Sequence, residues 1–179
     1  MDHGIGAIAG KDVKTMQKPT AEQLIEMLGL NPLPEEGGMT NQTYLSRWTI
    51  GEEPGGTCIY YLLSGEAFSH LHRLTGDEIY HFYLGDPVEL VELLPDGTSK
   101  VTTLGQDLLN GQKVQHLVPA GHWQGSRLKD GGSWALMGTT MCPGYTDACY
   151  EHGDAEVLKG QYPEAEEAIQ KLTGEAKYR

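Results

Sequence analysis

Between Gly65 and Gly85 the sequence reads GEAFSHLHRLTGDEIYHFYLG and holds three residues whose types suit a divalent metal ion. His70 and His72 stand two positions apart, so on a regular strand both imidazoles project from one face. Glu78 opens the next β-rich run beyond a turn at Thr75-Gly76. Two neighbouring strands can then bring two nitrogens and a carboxylate oxygen to one point. That set leaves coordination positions open and suits Fe(II), Mn, Ni or Zn by ligand type. Further on, Pro119-Ala120-Gly121 turns the chain into His122, Trp123 and Gln124, and parity puts His122 and Gln124 on one face, where either completes the site. Tyr80 and Phe82 share the face of Glu78 and wall the expected cavity. His81 points to the opposite face unless a bulge intervenes, which makes it a packing or supporting residue in a regular strand and an acid–base candidate beside Tyr80 in a bulged one. Asp77 reads as a turn cap or as a group orienting a histidine. His116 reads as structural, and His3 and His152 carry no signal.

These residues need a rigid frame, and the rest of the chain reads as one. At 179 residues there is material for a single domain that buries roughly 70% of its unfolded surface. After a tail over residues 1–19 without periodicity, Thr20 opens a short helix with Gln23 three residues on, Leu24, Ile25 and Leu28 on one stripe, and Gly29 to end it. β-rich runs follow at 57–63, 78–84, 88–94, 100–104, 114–118 and 134–141, separated by turn signals such as Leu94-Pro95-Asp96-Gly97 and Asp130-Gly131-Gly132. Many short strands without intervening helices must bury one face against each other, so the fold class is all-β, a sandwich or barrel. A last helix, started by Pro163, carries Ala165, Ala168, Ile169 and Leu172 on one stripe and flanks or lids the sheets.

Composition narrows the partners. Thirteen Lys and Arg against 25 Asp and Glu give a net charge of −12, which removes the electrostatic basis for binding nucleic acid or an anionic membrane. The start of the chain reads as neither a secretory signal nor a span, and three cysteines without a CxxC pair favour neither a disulfide framework nor a cysteine zinc site. A cytoplasmic location is the default expectation.

The order Gly65, His70-x-His72, Glu78, Gly85, then Gly111 and Pro119-x-Gly121-x-x-Gln124 resembles the two cupin motifs, in which a first block supplies two His and a Glu and a second supplies a further His, here replaced by Gln124. From about residue 20 to 172 the chain is similar to the small single-domain branch called cupin family five, a domain of unknown function. The shared features include Phe68-Ser69-x-x-His72-Arg73, Asp77-Glu78-x-x-His81, Gly85-Asp86-Pro87, Trp123-Gln124 and Pro143-Gly144-Tyr145. The resemblance implies a double-stranded β-helix, a cupin jelly roll, usually a homodimer, with a ligand cavity at one mouth. It also implies that Leu33, Asn41 and Gln42 stand where the branch often has a His, an Arg and a carboxylate, so that Gln42 faces a more neutral small-molecule ligand. Two readings of function stay open. In one, His70, His72, Glu78 and Gln124 hold a divalent metal that polarises a small sugar-like or carbonyl metabolite for isomerase, epimerase, lyase or oxygenase chemistry, with Phe82, His122 and Trp123 in the substrate pocket. In the other, no metal is present and the pocket binds a small molecule, or a histidine base and a tyrosine acid such as Tyr60, Tyr61, Tyr80 or Tyr83 epimerise it.

Overall fold

The computed structural model describes residues 18–179, so all of the expected N-terminal tail except Lys18 and Pro19, together with His3, lies outside the described residues. Helix α1 (Ala21–Leu28) forms as its sequence dictates. Thr20 Oγ1 accepts the Gln23 amide at 3.3 Å, Gln23 Oε1 accepts the Thr20 amide at 2.9 Å, and Gly29 closes the helix in the left-handed region at φ 60°.

Thirteen strands follow among the described residues. They are β1 (Asn31–Pro32), β2 (Met39–Leu45), β3 (Thr49–Ile50), β4 (Glu53–Pro54), β5 (Thr57–Ser64), β6 (Phe68–Leu74), β7 (Glu78–Gly85), β8 (Val88–Leu93), β9 (Ser99–Leu104), β10 (Gln115–Val118), β11 (Trp123–Leu128), β12 (Trp134–Met141) and β13 (Tyr150–His152). One antiparallel sheet has the order β1-β2-β5-β12-β7-β10 and the other β13-β6-β11-β8-β9, while β3 and β4 form a separate hairpin. The two large sheets pack face to face as a jelly roll. Tyr61, Leu63, Tyr80 and Met137 of the first sheet meet Val88, Leu90 and Leu104 of the second in the core between them.

The outer faces are covered by helices. Leu24 of α1 packs with Leu30, Met39, Leu62 and Leu136 on the first sheet. On the second, α2 (Ala155–Gln161) and α3 (Glu166–Lys171) set Leu158 and Ile169 against Leu71, Leu93 and Trp123. The expected single helix after Pro163 begins as a 3-10 turn, Pro163–Ala165, before α3. The preceding α2, capped by Asp154 Oδ1 on the Val157 amide at 2.9 Å, is an addition to the sequence reading. So are β1, β2, β3, β4 and β13 as strands. Among the described residues no helix is long and apolar enough to cross a membrane.

One irregularity matters for the site. Along β6 and β11, Gln124 pairs with His72 and Ser126 pairs with Ser69, so His70 and Leu71 together oppose the single residue Gly125. This is a β-bulge, and it puts Ser69 and His72 on the same inner face. Gly125 permits it: a Cβ there would meet Ser69 O at 3.0 Å and Leu71 Cγ at 3.2 Å.

Candidate functional site

A cavity of about 220 Å³ opens between the two sheets at one end of the jelly roll. His72 enters it from β6 and Glu78 and Tyr80 from β7, so the imidazole and the carboxyl group come from opposing sheets rather than from neighbouring strands of one hairpin. Tyr61 of β5, Thr139 of β12 and Tyr145 add further polar groups, and Gln42 of β2 stands at the exposed rim. Leu33, Ile59, Leu74 and Met141 make the remaining walls apolar. Among the described residues the lining contains no Lys or Arg.

His72 is 2% exposed. Its Nδ1 lies 2.8 Å from the His70 carbonyl, which only accepts, so Nδ1 carries the proton and Nε2 is left with its lone pair. Nε2 has no hydrogen-bond partner among the described residues. Burial holds this imidazole below its ordinary pKa against the opposing pull of Glu78, and Tyr150 stacks on the ring with centroids 5.1 Å apart. Glu78 is likewise buried, and burial raises its pKa, with the nearby Glu36 adding to the rise. Its Oε2 accepts Gln124 Nε2–H at 2.7 Å.

Glu36, at the turn before β2, is the residue that sequence reasoning missed. Its carboxyl is enclosed although the residue as a whole is half-buried, and burial pushes its pKa up to about 7 against the one hydrogen bond from Ser69 Oγ at 2.8 Å. The bulge positions it: the Glu36 carbonyl accepts the His70 amide at 2.7 Å, and Ser69 faces inward only because the bulge turns it there. The available signal was the Gly37-Gly38 pair that follows, whose φ of 96° and 68° lets the loop pass against the backbone at Phe68 and the ring of Tyr61. Tyr61 donates its hydroxyl to the Gly37 carbonyl at 3.0 Å. Burial raises Tyr61 and Tyr80 well above the ordinary phenol range, so both stay protonated at neutral pH.

Several expected members stand elsewhere. His70 does not share the inner face with His72, because the bulge turns it away. Its Nε2 accepts the Gly174 amide at 3.2 Å and its ring stacks on His152 at 3.8 Å. His81 faces outward as strand parity requires, with Nε2 3.0 Å from Thr140 Oγ1. Trp123 also faces outward, into the helix-covered cluster and beneath the Arg73 guanidinium at 4.7 Å, since the pleat that turns Gln124 inward turns Trp123 out. Phe82 is packed in the core rather than on the cavity wall. Asn41 holds α1 by donating to the Leu28 carbonyl at 2.8 Å.

His122 joins a different cluster. Glu92, 2% exposed, accepts His116 Nε2–H at 2.7 Å and His122 Nδ1–H at 3.3 Å, with Lys100 Nζ at 3.4 Å. Burial alone would raise the Glu92 pKa, but the bonds from His116 and His122 and the Lys100 charge outweigh it and leave it below the ordinary value. This gives His116 a structural partner. Asp77 caps a turn by accepting the Ala120 amide at 2.8 Å. Cys58, Cys142 and Cys149 are all free.

The donor set tests the expected metal directly. With His70 turned away, no group of three His, Cys, Asp or Glu side chains among the described residues is arranged to hold a metal ion, and Gln124 bonds Glu78 through Nε2 while its Oε1 is buried without a partner among those residues. His72 and Glu78 share the cavity, but the four-ligand set expected from the motif spacing does not assemble, and the residues present do not fit a resident metal in the cupin manner.

The known structures most useful for comparison share this architecture. A Shewanella oneidensis protein is 31% identical with a TM-score of 0.83, the match covering 88% of this chain and 99% of that one. A hypothetical protein from Leishmania major is 28% identical with a TM-score of 0.81, covering 90% and 100%. Oxalate decarboxylase from Bacillus subtilis is far more distant, at 17% identity and a TM-score of 0.53, the match covering 83% of this chain and 38% of that one, and its likeness is one of fold. No curated protein matches the chain. The family model described as cupin superfamily, DUF985, matches residues 22–152, and with the jelly roll and its end cavity in view the chain belongs to that family.

Proposed function

We propose that this cupin binds a small polar metabolite in its end cavity and moves a proton on it without a resident metal, in the manner of an isomerase or epimerase. His72 Nε2 is the base and Tyr80 is the acid. The observation that carries the reading is the state of His72: neutral, with its proton fixed on Nδ1 by the His70 carbonyl and its free lone pair in the cavity. Tyr80, held protonated by burial, lines the same space. A carbon acid beside a carbonyl would lose its proton to Nε2 and regain one from the Tyr80 hydroxyl, and reprotonation of the phenolate from the imidazolium returns both groups to their starting state. The cavity lies below the roughly 300–1,000 Å³ of drug-sized pockets, which limits the substrate to a compact molecule.

The test is deuterium wash-in. Protein treated with EDTA is incubated in D₂O with a mixture of small carbonyl, hydroxy and amino metabolites, and mass spectrometry reads carbon-bound deuterium. The expected result is exchange into one compound or a small set of related compounds, abolished in His72→Gln and slowed in Tyr80→Phe. Exchange that requires an added divalent metal, or that survives His72→Gln unchanged, would overturn the reading.

A further inference from the structure

Two buried carboxyl groups share this cavity, and each has one oxygen held in place by the protein. Glu36 Oε1 takes the Ser69 hydroxyl at 2.8 Å and Glu78 Oε2 takes the Gln124 amide at 2.7 Å. Glu36 Oε2 has no donor among the described residues, and the Thr139 hydroxyl is the remaining polar neighbour of Glu78. The His72 imidazole, 2% exposed, adds an unpartnered acceptor at Nε2 in the same space. Among the described residues the cavity therefore presents acceptors with no Lys or Arg to balance them. Around them stand Leu33, Ile59 and Met141 together with the ring of Tyr145. Carboxylates in such surroundings are stabilised by a charged donor, and an ammonium group supplies three N–H donors with a compact positive charge.

Resting on the functional reading above, we infer that the ligand is a small primary amine that also carries the carbonyl of the proposed step: its ammonium sits between the Glu36 and Glu78 carboxyl groups, its compact apolar body lies against Leu33, Ile59 and Met141, and the C–H between the amine and the carbonyl faces His72 Nε2. The chemistry is consistent with the proposed step. A neighbouring ammonium withdraws electron density from the adjacent carbon and makes its proton easier to remove, while the paired carboxylates keep the amine protonated so that it does not compete as a base. An anionic substrate meets two carboxyl groups and no compensating cation among the described residues, which disfavours acids and phosphates.

Ligand-observed NMR on the full chain tests this with three probes of one shape: cyclohexylamine, cyclohexanol and cyclohexanecarboxylate. The amine is expected to bind about tenfold or more tightly than the alcohol, the effect of a charge-assisted pair, and the carboxylate not to bind. Glu36→Gln and Glu78→Gln, checked for folding by circular dichroism, should each shrink the preference for amine over alcohol while leaving alcohol binding in place. Equal binding of amine and alcohol by the unmodified protein, binding of the carboxylate, or binding of none of the three at millimolar concentration overturns the inference. None of these outcomes needs a variant to fold. Deuterium wash-in confined to compounds without an amine would also overturn it while leaving the proton-transfer reading intact, and absence of wash-in with the amine preference present would do the reverse.

Discussion

Replacing Glu36 by Gln isolates the electrostatic character of the cavity. Burial raises this carboxyl from an ordinary 4.5 to about 7, so the folded protein holds a proton that the unfolded chain has released throughout the interval between those values. The contribution of Glu36 to stability is therefore complete below pH 4.5, falls as the pH rises and levels off above about 7. At about 1.36 kcal/mol per pKa unit the full shift is worth about 3 kcal/mol, and the partial solvent access of the residue lowers the working figure to about 2 kcal/mol. Gln keeps the acceptor for Ser69 Oγ–H and removes the ionisation. Urea unfolding followed by tryptophan fluorescence at pH 5 and pH 8 gives a double difference between the two proteins. Groups common to both cancel, apart from Glu78, which the loss of a neighbouring charge relaxes in the same direction. The expected result is that Glu36→Gln gains about 2 kcal/mol on the unmodified protein between pH 5 and pH 8. A double difference of zero, or one of opposite sign, would show that the Glu36 carboxyl is solvated rather than buried in the cavity.

The Glu92 cluster should behave in the opposite way. Its depressed pKa means that its contribution to stability is lost as the pH falls through that value, and Glu92→Ala, which strips His116, His122 and Lys100 of their common partner, should cost about 3 kcal/mol in urea unfolding at pH 7. A loss under half that would mean that the cluster is solvated. Gly125→Ala should cost about 1–3 kcal/mol, because the new methyl group is forced against Ser69 O and Leu71 and the bulge must shift. Gly160→Ala is the matching control: it lies in α2 with nothing within 4 Å of the added Cβ, and the change should stabilise by about 0.5–1 kcal/mol, read as a raised Tm.

The parts of the fold that depend on local chemistry were open to sequence reasoning. The Thr20-Gln23 box and Gly29 bound α1 as expected, and the β-rich run at 134–141 coincides with β12, because capping residues and apolar runs act within a few positions. The inner placement of Glu78, Tyr80 and Phe82 and the outward turn of His81 follow from strand parity on β7, which is regular over that stretch. Parity failed on β6, where the extra residue of the bulge separates His70 from His72. Nothing in the spacing of two histidines reveals a bulge. What permits it is a glycine on the partner strand, Gly125, more than fifty positions away. Glu36 was missed for the same kind of reason, since its role depends on a loop crossing the end of the sandwich to meet Ser69. Strand parity that turns Gln124 inward turns Trp123 outward, and the cover it finds there comes from α2 and α3, which lie more than thirty positions on and leave no mark near Trp123 in the sequence.

The central claim is that His72 stands in the cavity as a neutral base with its proton on Nδ1, separated from His70. Long-range proton–nitrogen correlation NMR on histidine-labelled protein at pH 7 reads the tautomer of each ring directly. The account predicts the Nδ1-protonated form for His72, with Nε2 showing the shift of an unprotonated nitrogen, and no coordinated shift of His70 and His72 when one equivalent of Zn(II) or Mn(II) is added. An Nε2-protonated or doubly protonated His72, or the two imidazoles moving together on binding one metal ion, would contradict it.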